Sequence, residues 1–587
     1  MVMDKRTNIV RRIVRRDPTM FPASLPGLNP VLARVLAGRG VVSMDEIAVE
    51  LSRLLPPAQL KGIDAAVAVL ADAVVSGGAI LLIGDYDADG ATSTALCVST
   101  LRAMGANADF LVPDRFRFGY GLSPEIVDVA ATRKPAVILT VDNGMSSHEG
   151  VARAKAYGIR VVISDHHLPG AQLPDADAIV NPNQPGCAFL SKAIAGVGVA
   201  FYLMSALRAA LRERGWFNAA RPAPNLADAL DLVALGTVAD VVPLDANNRI
   251  LVEQGLRRIR AGRVRPGIAA LIAIAKRNRA RLVAADLGFA VGPRLNAAGR
   301  LDDMSIGIRC LLADNDAEAQ RYAAELDAMN QERRVIEGDM QQAALAALSQ
   351  LTLDEGRLPH GICLFDARWH QGVIGIVAAR IKERCHRPVI AFAPADGQAI
   401  NGDGELRGSA RSIEGVHIRD VLDAVAAHNP GLVSRFGGHA MAAGLTLARA
   451  NYEAFARAFN AEVLRVLPAA ALSPVLLSDG ALAFAELDLA LAQTLRDAGP
   501  WGQAFPEPLF DGEFEVLAQR LVGEKHLKLV LSAPAAGGRV LDAIAFNIDT
   551  RLWPNDARRV RIAYRLDVNE YRGVHTPQLL VEWIESL

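Results

Sequence analysis

Four short apolar runs, three of them ending on an aspartate, constrain the fold of this 587-residue chain more than any other feature. "AILLIGD" (79–85), "AVILTVD" (136–142) and "IRVVISD" (159–165) stop at Asp85, Asp142 and Asp165, and "ADFLVP" (108–113) repeats the apolar pattern. Helical patterns separate them, from Thr92 to Met104 and at 124–132 and 147–157. Short buried strands alternating with helices predict βαβ units and a parallel sheet covered on both faces. The C-terminal strand ends of such a sheet share one edge, where α/β folds place their ligands. Three acids far apart in sequence are therefore expected to converge.

The length calls for three or four domains. Residues 1–60 read as a basic, helical, proline-interrupted lead-in, and 61–313 as the acid-bearing α/β domain, mostly helical over 190–310. Residues 314–352 are alanine-rich, charged and free of proline, which predicts one long connecting helix. A smaller α/β domain spans 353–467, with strands at 361–365 and 388–393 around a helix at 373–385. Pro468 and Pro474 mark a boundary, and 468–587 alternates strand-like runs, with an Arg572-Gly573 turn, as expected of a small β-barrel.

Half of the residues are hydrophobic (51%) and 22% are charged, which supports several cores and argues against general disorder. With a net charge of −1, any nucleic-acid surface must be a local patch rather than a global field. Five scattered cysteines without C-x-x-C spacing fit a reducing compartment and offer neither a zinc site nor a disulfide framework. No apolar run approaches the roughly 20 residues of a membrane span. Arg11, Arg12, Arg15 and Arg16 are followed by no apolar h-region, so a solvated basic helix is favoured over a targeting peptide. A cytoplasmic, monomeric protein is expected.

The acids then define a chemistry. In "GDYDADG" (84–90), Asp85, Asp87 and Asp89 alternate, which in extended chain crowds three carboxylates on one side. Like charges this close need protonation or a bridging cation. Asp142 lies in "VDNG", Asp165 precedes the tandem His166-His167 in "SDHHLPG", and Asp240 interrupts the apolar "GTVADVVPL". Any one alone reads as a helix cap or a packed histidine; together they read as a metal crest. Carboxylates with imidazole and no thiolate suit Mn²⁺ or Mg²⁺, and so many anionic ligands suggest two ions. The D-x-D-x-[TV] pattern of haloacid-dehalogenase-like phosphatases is not met, because Ala91 stands at the last position.

"DYDADG", "VDNG", "SDHH" and "VADVVPL", in this order, resemble the four motifs of the DHH phosphoesterase superfamily. The resemblance implies that Asp87, Asp89, Asp142, His166 and Asp240 hold two metals with Asp142 bridging, and that Asp85 is a ligand or supports one. It implies that His167 contacts the scissile phosphate, and Asp142, Asp165 and His167 are the expected catalytic residues. "FGGHAMAAG" (436–444) is similar to the glycine-rich signature of the DHH-associated domain, implying substrate contacts from Gly437, Gly438 and His439. A tight packing turn is the alternative reading of that run. "RGSARS" (407–412) offers Ser409, Arg411 and Ser412 for a terminal phosphate.

"PDRFRFGYGL" (113–122), "VGPRLNAAGRL" (291–301) and "RWHQGVIGIVAARIKE" (368–383) narrow the resemblance to the single-strand-specific exonucleases of that superfamily. By that resemblance Arg115 and Arg294 bind DNA phosphates, and "YRLDVNEYRG" (564–573) belongs to an OB-fold. Tyr564, Arg565, Tyr571 and Arg572 are its expected DNA track, with an exposed amphipathic strand as the alternative. From residue 471 onward 11 Lys/Arg face 16 Asp/Glu, so a DNA groove there has to be local. The implied activity is 5′-3′ hydrolysis of single-stranded DNA in repair and recombination, with single-stranded-DNA-binding protein and a recombination helicase as partners. Two other readings are a phosphodiesterase for short oligonucleotides or cyclic dinucleotides, and a non-catalytic replication scaffold. Chain length speaks against the first and the complete ligand set against the second.

Overall fold

The computed structural model describes residues 12–17, 25–113, 121–348, 358–395, 404–467, 474–523, 526–532, 540–548, 557–570 and 573–587, with backbone alone at 349–355 and 571. The chain forms two compact units, one of residues 19–330 with 497–507, the other of residues 1–18, 331–496 and 508–587. Strand β1 (Arg12–Arg15) belongs to the second.

The first unit is built on β2 (Ile80–Gly84), β3 (Ala108–Leu111), β4 (Val137–Val141), β5 (Arg160–Ser164) and β6 (Ala178–Val180). All pair in parallel, in the order β3-β2-β4-β5-β6. Every residue of β2 and β4 is buried, as a strand covered on both faces requires. Ile83, Ile138 and Ile163 on one face pack with Ile126 and Val127 of helix Pro124–Ala131 and Val151 of helix His148–Ala156. The chain leaves β2 for β3 on one side and returns to β4 on the other. The strand order therefore reverses between β2 and β4, where the crevice of an open α/β sheet lies.

Residues 497–507 join this unit from the far end of the sequence. Trp501 and Phe505 stack with ring centroids 5.1 Å apart, under the guanidiniums of Arg39 and Arg249. Leu244 N–H donates to the Gln503 carbonyl at 2.8 Å. By sequence alone this segment falls within the β-module expected over 468–587.

Helix Asp316–Glu355 carries the chain into the second unit. There β7 (Ile362–Phe365), β8 (Val389–Pro394), β9 (Glu405–Arg411), β10 (Arg435–Gly438) and β11 (Ala442–Ala448) form a mixed sheet, β10-β11-β9-β8-β7. After β12 (Val475–Ser478) comes a closed barrel of β13 (Phe510–Val522), β14 (His526–Ser532), β15 (Leu541–Ala545), β16 (Arg559–Tyr571) and β17 (Val574–Ser586). Residues 12–15 are not the helix expected of the N-terminal segment. β1 pairs in parallel with β12, and Arg15 reaches Asp511 at 2.7 Å. Its arginines find carboxylates on the C-terminal module, which local sequence cannot reveal.

The barrel also corrects the expected DNA track. Val560, Ile562, Tyr564 and Leu566 alternate inward, and Tyr564 is fully buried, its ring 5.7 Å from that of Phe514. The period of two, read through β16, would have placed it there. On the outer face Arg561 meets Glu513 at 2.6 Å and Arg565 meets Glu582 at 2.6 Å. Glu582 is the extra residue of a β-bulge in β17, since Ala563 pairs with Trp583 and Tyr564 with Val581. Of the other track residues, Arg572 and the Tyr571 side chain lie outside the described residues.

Tyr564→Ala should therefore cost about 3–5 kcal/mol as a core cavity, read as a shift in the denaturant midpoint. Tyr564→Phe should leave single-strand binding unchanged. A Tyr564→Ala protein of full stability but weakened DNA binding would put the ring on the surface instead.

Candidate metal centre

The site is built where the sheet order reverses. The strand-to-helix loop after β2 carries Asp85, Asp87 and Asp89 into helix Ala88–Ala103. Asp87 caps that helix, accepting from Gly90 N–H at 3.0 Å, and Asp85 accepts from Tyr86 N–H at 2.8 Å. Asp89 is buried and accepts from Gly196 N–H at 2.7 Å and Val197 N–H at 2.9 Å, the first turn of helix Gly196–Glu213.

Asp142 follows β4 with φ of 62°, a left-handed conformation uncommon outside glycine and asparagine. Asn143 holds the turn, donating to the Ile83 and Val141 carbonyls at 3.0 and 2.9 Å, which joins the ends of β2 and β4. His166 follows β5 by way of Asp165. Its Nε2 lies 3.1 Å from Asp142, 3.6 Å from Asp240 and 4.0 Å from Asp89. Asp240 caps the C-terminus of helix Leu230–Ala239, the negative end of the helix dipole.

Asp165 differs from the other acids in this group. Its carboxylate accepts from the N–H groups of Met145, His166 and His167 and meets His167 Nδ1 at 2.7 Å. Burial alone would raise its pKa, but the His167 hydrogen bond and charge hold it below the usual carboxylate range. Burial would likewise lower His167, yet the same bond, with Asp165, Asp85 and Asp240 nearby, lifts it to about 9. Asp165 thus acts through His167, fixing Nδ1 as a donor and leaving Nε2 for another group.

Asp89, Asp142 and Asp240 are shifted the other way. Burial and then the Asp87 charge push Asp89 up to about 7, and burial followed by the neighbouring aspartates also raises Asp142 and Asp240. Carboxylate and imidazole donors of Asp89, His166 and Asp240 lie within 4.8 Å of one another, as do those of Asp85, Asp87 and Asp142. Oxygen ligands with one imidazole and no thiolate fit Mn²⁺ or Mg²⁺, and two such groups around Asp142 and His166 have room for two ions. The expected ligands Asp85, Asp87, Asp89, Asp142, His166 and Asp240 are thus brought together.

Several neighbours escaped the sequence reading. A Cβ at Gly196 would lie 2.5 Å from an Asp142 oxygen, and one at Gly299 would lie 1.7 Å from the Tyr86 carbonyl. Asn296 accepts from Ala88 N–H at 2.7 Å and so fixes the acid loop. Asn296 and Gly299 belong to "VGPRLNAAGRL", the run that also carries Arg294. That arginine is the correction: Arg294 is buried, 2.7 Å from Asp327 and bonded to the Ala290 carbonyl. Its charge is matched by Asp327, which ties this helix to the long connecting helix. Arg115 lies outside the described residues.

The terminal-phosphate candidates sit in the second unit. Arg411 Nη1 donates to Ser409 Oγ at 3.1 Å and to the Ala410 carbonyl at 2.8 Å, and burial lowers its pKa. Gly375, in the first turn of helix Ile374–Cys385, is so close that a Cβ there would meet Arg411 and Ser409 at 2.9 Å. A half-buried guanidinium, a hydroxyl and a helix N-terminus together suit an anion. Gly437 pairs with Gly444 across the β10–β11 hairpin, open space lying where either side chain would be. Gly438 has φ of 144°, and His439 N–H closes the turn onto Ala442. Ser412 is the second correction: it is buried and its hydroxyl donates to the Val416 carbonyl at 2.6 Å.

The crowding gives a test with a sign. A carboxylate raised by folding destabilises the fold increasingly as pH climbs from its unfolded value, near 4, toward its folded one. In chelator at pH 7.5, Asp142→Asn should melt above wild type, and the gap should close toward pH 5. Mn²⁺ at 100 times its Kd should add about 2.7 kcal/mol to wild type and much less to the variant. A variant less stable than wild type in chelator at pH 7.5 would mean that the carboxylates are not in conflict.

Comparison with known proteins agrees with this architecture. The DHH family N-terminal domain matches residues 79–237, the DHHA1 domain 359–464 and the RecJ OB domain 478–583. The single-stranded-DNA-specific exonuclease RecJ of Salmonella typhimurium is 56% identical over 586 residues, 99% of this chain and 100% of that protein. The protein of the same name from Bacillus subtilis is 32% identical over 94% of this chain and 68% of its own. The crystal structure of RecJ in complex with Mn²⁺ from Thermus thermophilus superposes with a TM-score of 0.77 at 30% identity, covering 95% of this chain and 76% of that one. With every motif of the crest in order and the likeness running end to end, this chain belongs to the RecJ family of single-stranded-DNA-specific exonucleases.

Proposed function

We propose that this chain is a divalent-cation-dependent exonuclease that removes nucleotides from the 5′ end of single-stranded DNA, in repair and recombination. The observation that carries the reading is the crest itself, where five carboxylates and His166 converge at the sheet's switch point. Asp85, Asp87, Asp89, Asp142, His166 and Asp240 would hold Mn²⁺ or Mg²⁺, which supplies Lewis-acid activation of water and charge neutralisation at phosphorus. RecJ from Thermus thermophilus has been crystallised with either ion. His167, held by Asp165, presents a cationic Nε2–H to a phosphate oxygen. Its charge develops no new solvation cost as the oxygen gains negative charge, which is the advantage of a preorganised donor.

We assign residues 61–313 to catalysis, 353–467 to capture of the strand's 5′ phosphate by Ser409, Arg411 and the Gly437-Gly438-His439 hairpin, and 468–587 to the strand beyond. The match of the barrel to the RecJ OB domain supports the last assignment. Among the described residues no helix is long and apolar enough to cross a membrane, and we place the protein in the cytoplasm as a monomer. Single-stranded-DNA-binding protein and a recombination helicase are its proposed partners, on the family likeness alone.

With Mn²⁺, a 5′-labelled single strand should release labelled mononucleotide first, while blunt duplex persists. Asp142→Ala should lower turnover at least about 10³-fold, roughly 4 kcal/mol of transition-state stabilisation. Retention of a tenth of the wild-type rate at saturating Mn²⁺ would end the assignment. Arg411→Ala should weaken binding and blunt the preference for a 5′-phosphorylated over a 5′-hydroxyl strand, with the metal response unchanged. Undiminished discrimination would make Arg411 a structural arginine.

A further inference from the structure

From Gln254 to Ala285 the chain holds eight arginines and one lysine, with no carboxylate and no aromatic ring. In a protein of net charge −1 this is a concentrated cationic surface. Part of it serves the fold. Arg257 and Arg260 share Glu253, Arg258 pairs with Asp228, Arg265 with Asp231 at 3.1 Å and Arg277 with Asp286 at 3.1 Å, and Arg281 is also engaged.

Three cations are left over. Arg263, Lys276 and Arg279 are exposed and, among the described residues, meet no carboxylate. They come from two turns that pack together. Gly262, in the turn after helix Ala246–Arg260, stands so that a Cβ there would be 3.5 Å from Arg279 Nη2. Arg260 Nε donates to the Leu282 carbonyl at 2.8 Å, fastening the second turn to the same helix end. Lys276 opens that turn with φ of 55°. The negative helix ends account for some positive charge here, but the arginines at 257, 258 and 260 already fill the last turn of the first helix.

We propose that Arg263, Lys276 and Arg279 form a ridge that binds the phosphate backbone of duplex DNA flanking a single-stranded 5′ tail. The proposal rests on the exonuclease reading above and adds a second contact with the substrate. Duplex is favoured because surfaces that hold single strands combine cations with aromatic platforms for the bases, and this segment has none. Guanidinium and ammonium groups alone read phosphates, whose density is greatest along a duplex. The matched arginines on the outer face of β16 contrast with this ridge: those are neutralised by Glu513 and Glu582.

The test compares wild type with the triple variant Arg263→Glu, Lys276→Glu, Arg279→Glu on two probes, a short single strand and the same strand as the 5′ tail of a duplex. Wild type should bind the tailed duplex more tightly and with the steeper salt dependence. The variant should lose that advantage, with the slope of log affinity against log salt falling by about 3, roughly 0.9 per phosphate contact. Its thermal midpoint and its turnover on the short strand should stay at wild-type values. An undiminished duplex advantage in the variant would overturn the proposal, and so would an equal loss on both probes, which would make the ridge part of a single-strand track. If wild type fails to degrade the single strand, the exonuclease reading falls; if it does degrade it but shows no duplex advantage, only the ridge falls.

Discussion

Carboxylates gathered within coordination distance of one another repel at any pH where they are ionised, and the first unit is arranged around that conflict. The parallel sheet supplies two strand ends side by side at its switch point, each continuing into an aspartate. A helix N-terminus takes both oxygens of Asp89, while Asp240 sits at a helix C-terminus, where the dipole adds to the repulsion. Without a cation the two N–H groups on Asp89 offset only part of this repulsion. With one, each carboxylate becomes a donor already in place, and the energy stored as raised pKa values returns as affinity for the ion.

Holding such a crest requires close backbone approach from several directions. Gly196 and Gly299 leave no room for a side chain against Asp142 and Tyr86, and Asn296 and Asn143 tie the loops by side-chain hydrogen bonds. Asp165 is the acid withdrawn from this crowd. By meeting three backbone N–H groups and His167 it sets the proton on one imidazole nitrogen and aims the other. One strand end is therefore tied up by hydrogen bonds while its neighbours face one another as candidate ligands, although all three look alike in sequence.

Arginine illustrates a related division. The barrel's outer arginines are matched by Glu513 and Glu582, Arg294 by Asp327, and Arg15 by Asp511. The exposed pairs among these contribute little to stability, but all of them cancel the field that a polyanion would feel. Arg411, held among neutral partners, and the ridge cations keep theirs. In a chain with nearly balanced charge, affinity for nucleic acid is thus a matter of which cations lack a carboxylate.

Local sequence specifies the parallel sheet, the long connecting helix, the second α/β layer, the barrel and the convergence of Asp85, Asp87, Asp89, Asp142, His166 and Asp240. These follow from local periodicity and from the rule that strand ends share an edge, both of which are written in short stretches of chain. Tyr564 was legible too, since its inward face follows from the alternation in β16. Tertiary structure decided the rest. Whether Arg294 is free depends on Asp327, 33 residues further on, which periodicity cannot bring beside it. The strand at Arg12–Arg15 exists because β12 offers it an edge, and the segment around Trp501 is held because Arg39 covers that ring and Leu244 bonds to Gln503, each from hundreds of residues away. A side chain's chemistry is a property of its residue, but its availability is a property of its neighbours, and those are chosen only when the chain closes on itself.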